Sequence, residues 1–273
     1  MPYANTQGIR LYYEQQGSGE PPLVFVHGYA CDHEDWQPQV DFFQPRHHVI
    51  TCDLPGHGAS ERHPDHCSIE SFGADVSALL AALKLPPAVL IGHSMGCRVV
   101  LQAYLTAPER VSGLIFVDGS CVGENDPQAA EAQMMQYIAD VGFPAMVQAM
   151  FDDMFLDNAD ATLKHRILQR ALTLPEAFGA PLFSRVVAWD AGQMDASLSQ
   201  IAVPLLVLQS TYFNVQRIRV PIQPGTITPW MERVQHHVPS ARIDIVSDVG
   251  HFPMLEAADA VNEKIAAFVA PLS

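Results

Sequence analysis

Positive charge is scarce in this chain: 15 Lys and Arg stand against 30 Asp and Glu, a formal net charge of −15 over 273 residues. That balance argues against nucleic acid and anionic membrane surfaces as partners, because both are recognised through clustered cations. It also disfavours strongly anionic substrates in long-range encounter. Cysteine is sparse too. The five present (Cys31, Cys52, Cys67, Cys97, Cys121) are odd in number and scattered, without a C-x-x-C spacing. Neither a disulfide framework nor a cysteine metal site is expected, and reduced thiols in a cytoplasmic protein are the simplest reading. Apolar runs such as Leu23 to Val26 and Val203 to Leu208 are too short to span a bilayer. The start of the chain, Met1 to Thr6, has no basic stretch followed by an apolar one, so no secretory signal is expected. No internal repeat or low-complexity tract is visible.

Hydrophobic residues are plentiful at 48%, enough for the core of one large α/β domain that carries an insertion. Strand and helix signals alternate, which implies a mostly parallel central sheet with helices on both faces. Strands are expected at Ile9 to Glu14, Leu23 to His27, His48 to Cys52, Ala88 to Ile91, Leu114 to Val117, Val203 to Leu208 and Ile243 to Val246. Helical spacing marks Ile69 to Leu83, Arg98 to Thr106 and Leu255 to Val269. Between Asp118 and Val203 the strand signal disappears over a stretch too long for a simple loop. It is rich in Met and Phe (Met134, Met135, Phe143, Met146, Met150, Phe151, Met154, Phe155) at helical spacing. Residues 121–195 are therefore expected to form a helical cap, with 1–120 and 196–273 as the core. Most of those side chains read as the insertion's own packing, and a few as the lining of an adaptable apolar pocket. Twelve histidines are present, and His47-His48, His63, His66 and His236-His237 sit in polar contexts that read as solvated surface rather than zinc ligands.

Chemistry concentrates at Gly92-His93-Ser94-Met95-Gly96, a G-x-S-x-G turn that follows the apolar run Ala88 to Ile91 and precedes a helix. A serine hydroxyl is a poor nucleophile unless it is held exposed beside a base, and a sharp strand-to-helix turn does this. The following helix aims its first amides where negative charge would develop. Three other segments fall into register with Ser94. Gly250-His251-Phe252 follows the last strand, where His251 is placed to act as general base. His27-Gly28-Tyr29 follows an early strand. There the backbone amide of Tyr29 can serve as one arm of an oxyanion hole and that of Met95 as the other, while His27 reads as structural. Asp53-Leu54-Pro55-Gly56-His57-Gly58 marks a tight, shaped loop with a structural role.

Together the four motifs resemble the α/β-hydrolase fold family, in particular its small capped esterases and lactonases. They stand in the family's order and cover both ends of the chain. The resemblance implies an acyl-transfer enzyme without metal or organic cofactor. Its substrate would be a small-to-medium, fairly apolar carboxylic ester or lactone. Hydrolysis of a carbon–carbon bond in a diketone by the same three residues is the alternative. A catalytically inactive fold that binds a small ligand is a second. Oligomeric state is open, a homo-oligomer included.

One element of the family pattern is missing. The acid usually follows the strand that here is Val203 to Leu208, but this chain continues Gln209-Ser210-Thr211-Tyr212-Phe213-Asn214. Some family members, the haloalkane dehalogenases among them, carry the acid one strand earlier, where this chain has Asp118. Asp118 is therefore expected to orient His251, with Asn214 and Asp248 as the other candidates. Those dehalogenases and the epoxide hydrolases use an aspartate nucleophile where this chain has Ser94, which argues against both activities. The stretch from Tyr212 to Trp230, with Arg217, Arg219 and three prolines, reads as a surface loop beside the insertion. Its other reading is a pocket wall whose arginine meets a polar substrate group. Cys97 is expected to pack under the helix after Ser94, and nothing marks Cys31 as a thiolate.

Overall fold

Continuous apolar runs become strands buried on both faces, the arrangement that parallel sheets require. The computed structural model describes residues 3–124, 126–214, 216 and 218–272; Arg217 lies outside them. Its first half runs β1 (Tyr3–Thr6), β2 (Ile9–Gln16), β3 (Leu23–Val26), α1 (Gln37–Phe43), β4 (Val49–Cys52), α2 (Ile69–Ala82), β5 (Ala88–His93), α3 (Met95–Thr106) and β6 (Val111–Val117). Four consecutive helices follow: α4 (Pro127–Val141), α5 (Phe143–Asp152), α6 (Ala161–Ala171) and α7 (Glu176–Leu198). The chain closes with β7 (Leu205–Gln209), β8 (Thr211–Phe213), β9 (Arg219–Pro221), α8 (Pro229–His237), β10 (Arg242–Ile245), α9 (Pro253–Glu256) and α10 (Ala258–Val269).

Eight strands form one sheet in the order β1-β2-β4-β3-β5-β6-β7-β10. Only β2 pairs antiparallel, with β1 and with β4; the rest of the sheet is parallel. The central strands β3, β5 and β6 are nearly inaccessible along their length, and their carboxyl ends lie side by side. Those ends present the turns after Val26, His93 and Val117, which is where open α/β sheets bind ligands.

One strand is added and two expectations need correction. Tyr3–Thr6 forms an edge strand that its composition does not announce. The helix expected over Leu255 to Val269 is broken at Ala257, which leaves the helical region with φ −137° and ψ 50°. Glu256, just before the break, turns its carboxylate back to accept from the amides of Gly250 and Phe252 at 3.1 and 3.3 Å. The stretch after Tyr212 is not a surface loop but the two-stranded hairpin β8–β9, followed by α8.

A buried ion pair joins α7, the last of the four helices, to α3. Arg98 on α3 donates from Nε and Nη2 to the two carboxylate oxygens of Asp190 on α7, both at 2.6 Å. Their side chains are 3% and 0% exposed. Asp190 also accepts from Val122 N, while Arg98 Nη1 donates to Ser94 O at 3.2 Å. Removing one partner leaves the other charge buried and unpaired. Asp190→Ala is expected to lower unfolding stability by about 3–5 kcal/mol, measured by urea denaturation; a loss below about 1 kcal/mol, the value of an exposed pair, would contradict this role.

Candidate active site

The turn after β5 is held by close packing. Ser94 sits at φ 52° and ψ −113°, a conformation few non-glycine residues adopt. Glycine is required on both sides of it: a Cβ on Gly92 would lie 2.3 Å from Gly96 O, and one on Gly96 2.4 Å from Val26 O. The strained turn leaves the Ser94 side chain half-buried above the sheet. Met95 is the first residue of α3, so its amide has no carbonyl partner within the helix. The His27–Tyr29 turn lies against the same spot, since a Cβ on Gly28 would meet Ser94 Cβ at 3.2 Å.

His251 reaches Ser94 from the far end of the chain. Its Nε2 is 2.8 Å from Ser94 Oγ, and its Nδ1 is 2.6 Å from Asp118 Oδ2. With the proton on Nδ1, the ring donates to Asp118 and accepts from the serine hydroxyl. The loop carrying His251 is fixed on several sides. Its amide donates to Met154 O at 2.7 Å, its carbonyl accepts from His93 Nε2 at 2.7 Å, and Gly250 O accepts from Ser210 Oγ at 2.7 Å.

Asp118 follows β6 at φ 46° and is fully buried. Oδ1 accepts from the amides of Ser210 and Thr211 at 2.7 and 2.8 Å, and Oδ2 from Thr211 Oγ1 at 2.5 Å. Where the family pattern leads one to expect an acid, this chain offers amides and a hydroxyl that hold an acid from the neighbouring strand. Burial pushes the Asp118 carboxyl up, but His251, Arg219 and Thr211 together bring it below its ordinary value. Burial also pushes the His251 imidazole down, with Arg219 acting in the same sense against Asp118, to about 4.

The other two acid candidates are placed elsewhere. Asn214 Oδ1 accepts from the amides of Gln216 and Ile218, both at 3.0 Å, so its carbonyl oxygen braces the hairpin turn. Asp248 is exposed, at φ 64°. His27 is a staple: Nδ1 donates to Gly28 O at 2.7 Å, Nε2 accepts from Leu54 N at 2.9 Å, and burial pushes the ring down to about 3. Tyr29 anchors its turn to α7 through a hydrogen bond from its hydroxyl to Gly179 O at 2.9 Å. Cys97 packs under α3 as expected, with burial pushing its thiol up to about 12, and burial raises Cys31 likewise. Of the polar-context histidines, His66 pairs with Asp75 at 2.5 Å and His237 contacts Ser199 Oγ at 2.8 Å. Among the described residues no group of three or more His, Cys, Asp or Glu is disposed to hold a metal ion.

Of the Met and Phe residues between β6 and β7, Phe143, Met146 and Phe151 are buried, whereas Met135 is 41% exposed. Phe155 stacks on Phe252, beside His251, at 5.2 Å. None of the four motifs marks Arg219 and Thr211 as neighbours of Asp118. An arginine in the apolar, proline-bearing run Ile218 to Ile222 was the available signal.

The model of the alpha/beta hydrolase family matches residues 23–264. The chain belongs to that family. An (E)-2-((N-methylformamido)methylene)succinate hydrolase of Acinetobacter baylyi is 35% identical over 108 residues, which are 40% of this chain and 41% of that relative's length. A pimeloyl-[acyl-carrier protein] methyl ester esterase of Nitrosomonas europaea is 27% identical over 269 residues, 90% of this chain and 94% of that one. In three dimensions the enol-lactonase of Burkholderia xenovorans superposes with a TM-score of 0.80 at 22% identity, over 98% of this chain and 100% of the other. That likeness establishes the fold. Among the described residues no helix is long and apolar enough to cross a membrane.

Proposed function

We propose that this alpha/beta hydrolase is a serine carboxylic-ester hydrolase that acts on small-to-medium, fairly apolar esters or lactones. The observation that carries the reading is the unbroken chain from Ser94 Oγ through His251 to Asp118, at 2.8 and 2.6 Å. In this reading His251 takes the Ser94 proton as the hydroxyl attacks the carbonyl. Asp118 holds the ring in the productive tautomer and stabilises the imidazolium that forms. The amides of Tyr29 and Met95 receive the oxyanion. His251 then protonates the departing alkoxide, and water activated by the same ring releases the acid. The four helices of residues 121–195 act as a cap over the site, and α5, through Asp153 and Met154 just beyond it, reaches His251 and Arg219.

The names of two similar proteins, a methyl ester esterase and an enol-lactonase, accord with ester and lactone carbonyls as targets. The net charge of −15 favours neutral substrates over strongly anionic ones. A panel of p-nitrophenyl acetate, p-nitrophenyl butyrate, simple lactones and a vinylogous diketone tests the reading. Turnover of the esters or lactones is expected. Cleavage of the diketone alone would move the assignment to carbon–carbon hydrolysis.

A further inference from the structure

Arg219 is a buried cation at a site that already has its three expected members. It opens β9 opposite Phe213, and its side chain is 7% exposed. Nη1 donates to Thr211 Oγ1 at 2.7 Å, and that hydroxyl donates to Asp118. The same nitrogen is 3.1 Å from His251 Nδ1 and 3.6 Å from Asp118 Oδ2. The Phe213 ring covers the guanidinium at 4.4 Å, and Asp153 Oδ2 lies 3.9 Å from Nε on the outer side. Burying a cation this deeply is costly unless charge partners are fixed around it. Here they are Asp118 and Asp153.

We infer that Arg219 is a positioning residue of the Ser94–His251–Asp118 site. Fixed by Thr211, it braces Asp118 and sets a buried positive charge against the Nδ1 side of the His251 ring. The inference rests on the reading of Ser94 as nucleophile and His251 as base.

The charges facing the His251 ring come from several elements. Asp118 after β6 favours the imidazolium; Arg219 on β9 and, further away, Arg98 on α3 oppose it. His93 on β5 is itself held uncharged, chiefly by burial, and spends its Nε2 proton on the His251 carbonyl. Asp153 after α5 balances the outer side of Arg219, and the carboxylate of Glu256 is engaged by the amides of Gly250 and Phe252. Burial is the largest influence on the ring and Arg219 the next. A group depressed in this way is the neutral base at every pH above its own value, and loses that form only as pH falls through it. An ordinary imidazole, near 6.5, would be mostly protonated at pH 5.5. A ring held lower, as burial and Arg219 hold this one, is expected to stay mostly neutral there.

The experiment is the rate at which a fluorophosphonate labels Ser94 in the full-length chain between pH 5.5 and 8, with circular dichroism at each pH to show that the fold persists. The unaltered protein is expected to label at nearly constant rate across that range. Arg219→Gln should label more slowly at pH 5.5 than at pH 8, by about twofold or more, because losing the guanidinium moves the still-buried ring part of the way back toward its ordinary value. Arg219→Lys, which keeps the charge, should retain most of the flat profile. A purely structural role would instead slow Arg219→Gln equally at every pH, and that result overturns the inference. So does a folded unaltered protein whose rate falls with a midpoint near 6.5, which decides the matter even where the glutamine variant does not fold. No labelling of the unaltered protein at any pH overturns the reading of Ser94 itself, and the inference with it.

Discussion

Asp118→Asn is expected to lower kcat by about 10⁴-fold, the loss typical of a triad whose acid is neutralised. The carboxylate does two things that an amide cannot. It accepts the Nδ1 proton of His251 at 2.6 Å, which leaves Nε2 free to accept from Ser94, and it supplies the negative charge that an imidazolium needs. An asparagine that turns its NH2 toward the ring selects the opposite tautomer, with a proton on Nε2 and no acceptor for the serine. Its other face keeps accepting from the amides of Ser210 and Thr211, so the turn after β7 should survive. Asn214→Ala is the matched control. That side chain braces the hairpin turn and should leave kcat unchanged within error. Steady-state kinetics on p-nitrophenyl butyrate, with Tm measured for each variant, separate the two positions. A large loss in Asn214→Ala with a normal Asp118→Asn would reverse the assignment of the acid.

Ser94→Ala should cost more, about 10⁶-fold in kcat, because in the proposed mechanism it removes the atom that carries the acyl group. The substitution is mild for the fold. Alanine pays much the same backbone penalty as serine at φ 52°, and Gly92 and Gly96 still provide the close approach of backbone to backbone. The variant should therefore bind substrate with near-normal affinity and retain only the slow hydrolysis that the Tyr29 and Met95 amides support. Measurement of kcat and substrate binding on the same preparation tests both statements. A variant with more than a tenth of the original kcat would place the nucleophile elsewhere.

The middle of the sheet was legible because its strands are buried on both faces and so read as continuous apolar runs, as in Leu23–Val26 and Leu205–Gln209. Edge and hairpin strands carry no such signal. Tyr3–Thr6 and Arg219–Pro221 mix polar residues and proline, and pairing with a neighbour, not composition, makes them strands. Ser94 and His251 were legible as candidates because each is flanked by the turn that the proposed chemistry needs. Asp118 was legible as the aspartate at the end of the neighbouring strand once the usual place stood empty. The hidden part was what replaces the missing acid. Thr211 and Arg219 lie far from Asp118 in sequence, and only the hairpin fold brings hydroxyl and guanidinium to one carboxylate. The Arg98–Asp190 pair was hidden for the same reason, since it joins helices on either side of β6.

If Ser94 is the nucleophile of a site completed by His251 and Asp118, it forms a covalent adduct that depends on both. Intact-protein mass spectrometry after exposure to a fluorophosphonate at pH 7.5 measures this. One adduct per chain is expected, mapped to Ser94 by peptide digestion, absent from Ser94→Ala and formed far more slowly by His251→Ala and Asp118→Asn. An unlabelled protein, or an adduct that persists at full rate in Ser94→Ala or His251→Ala, would contradict it.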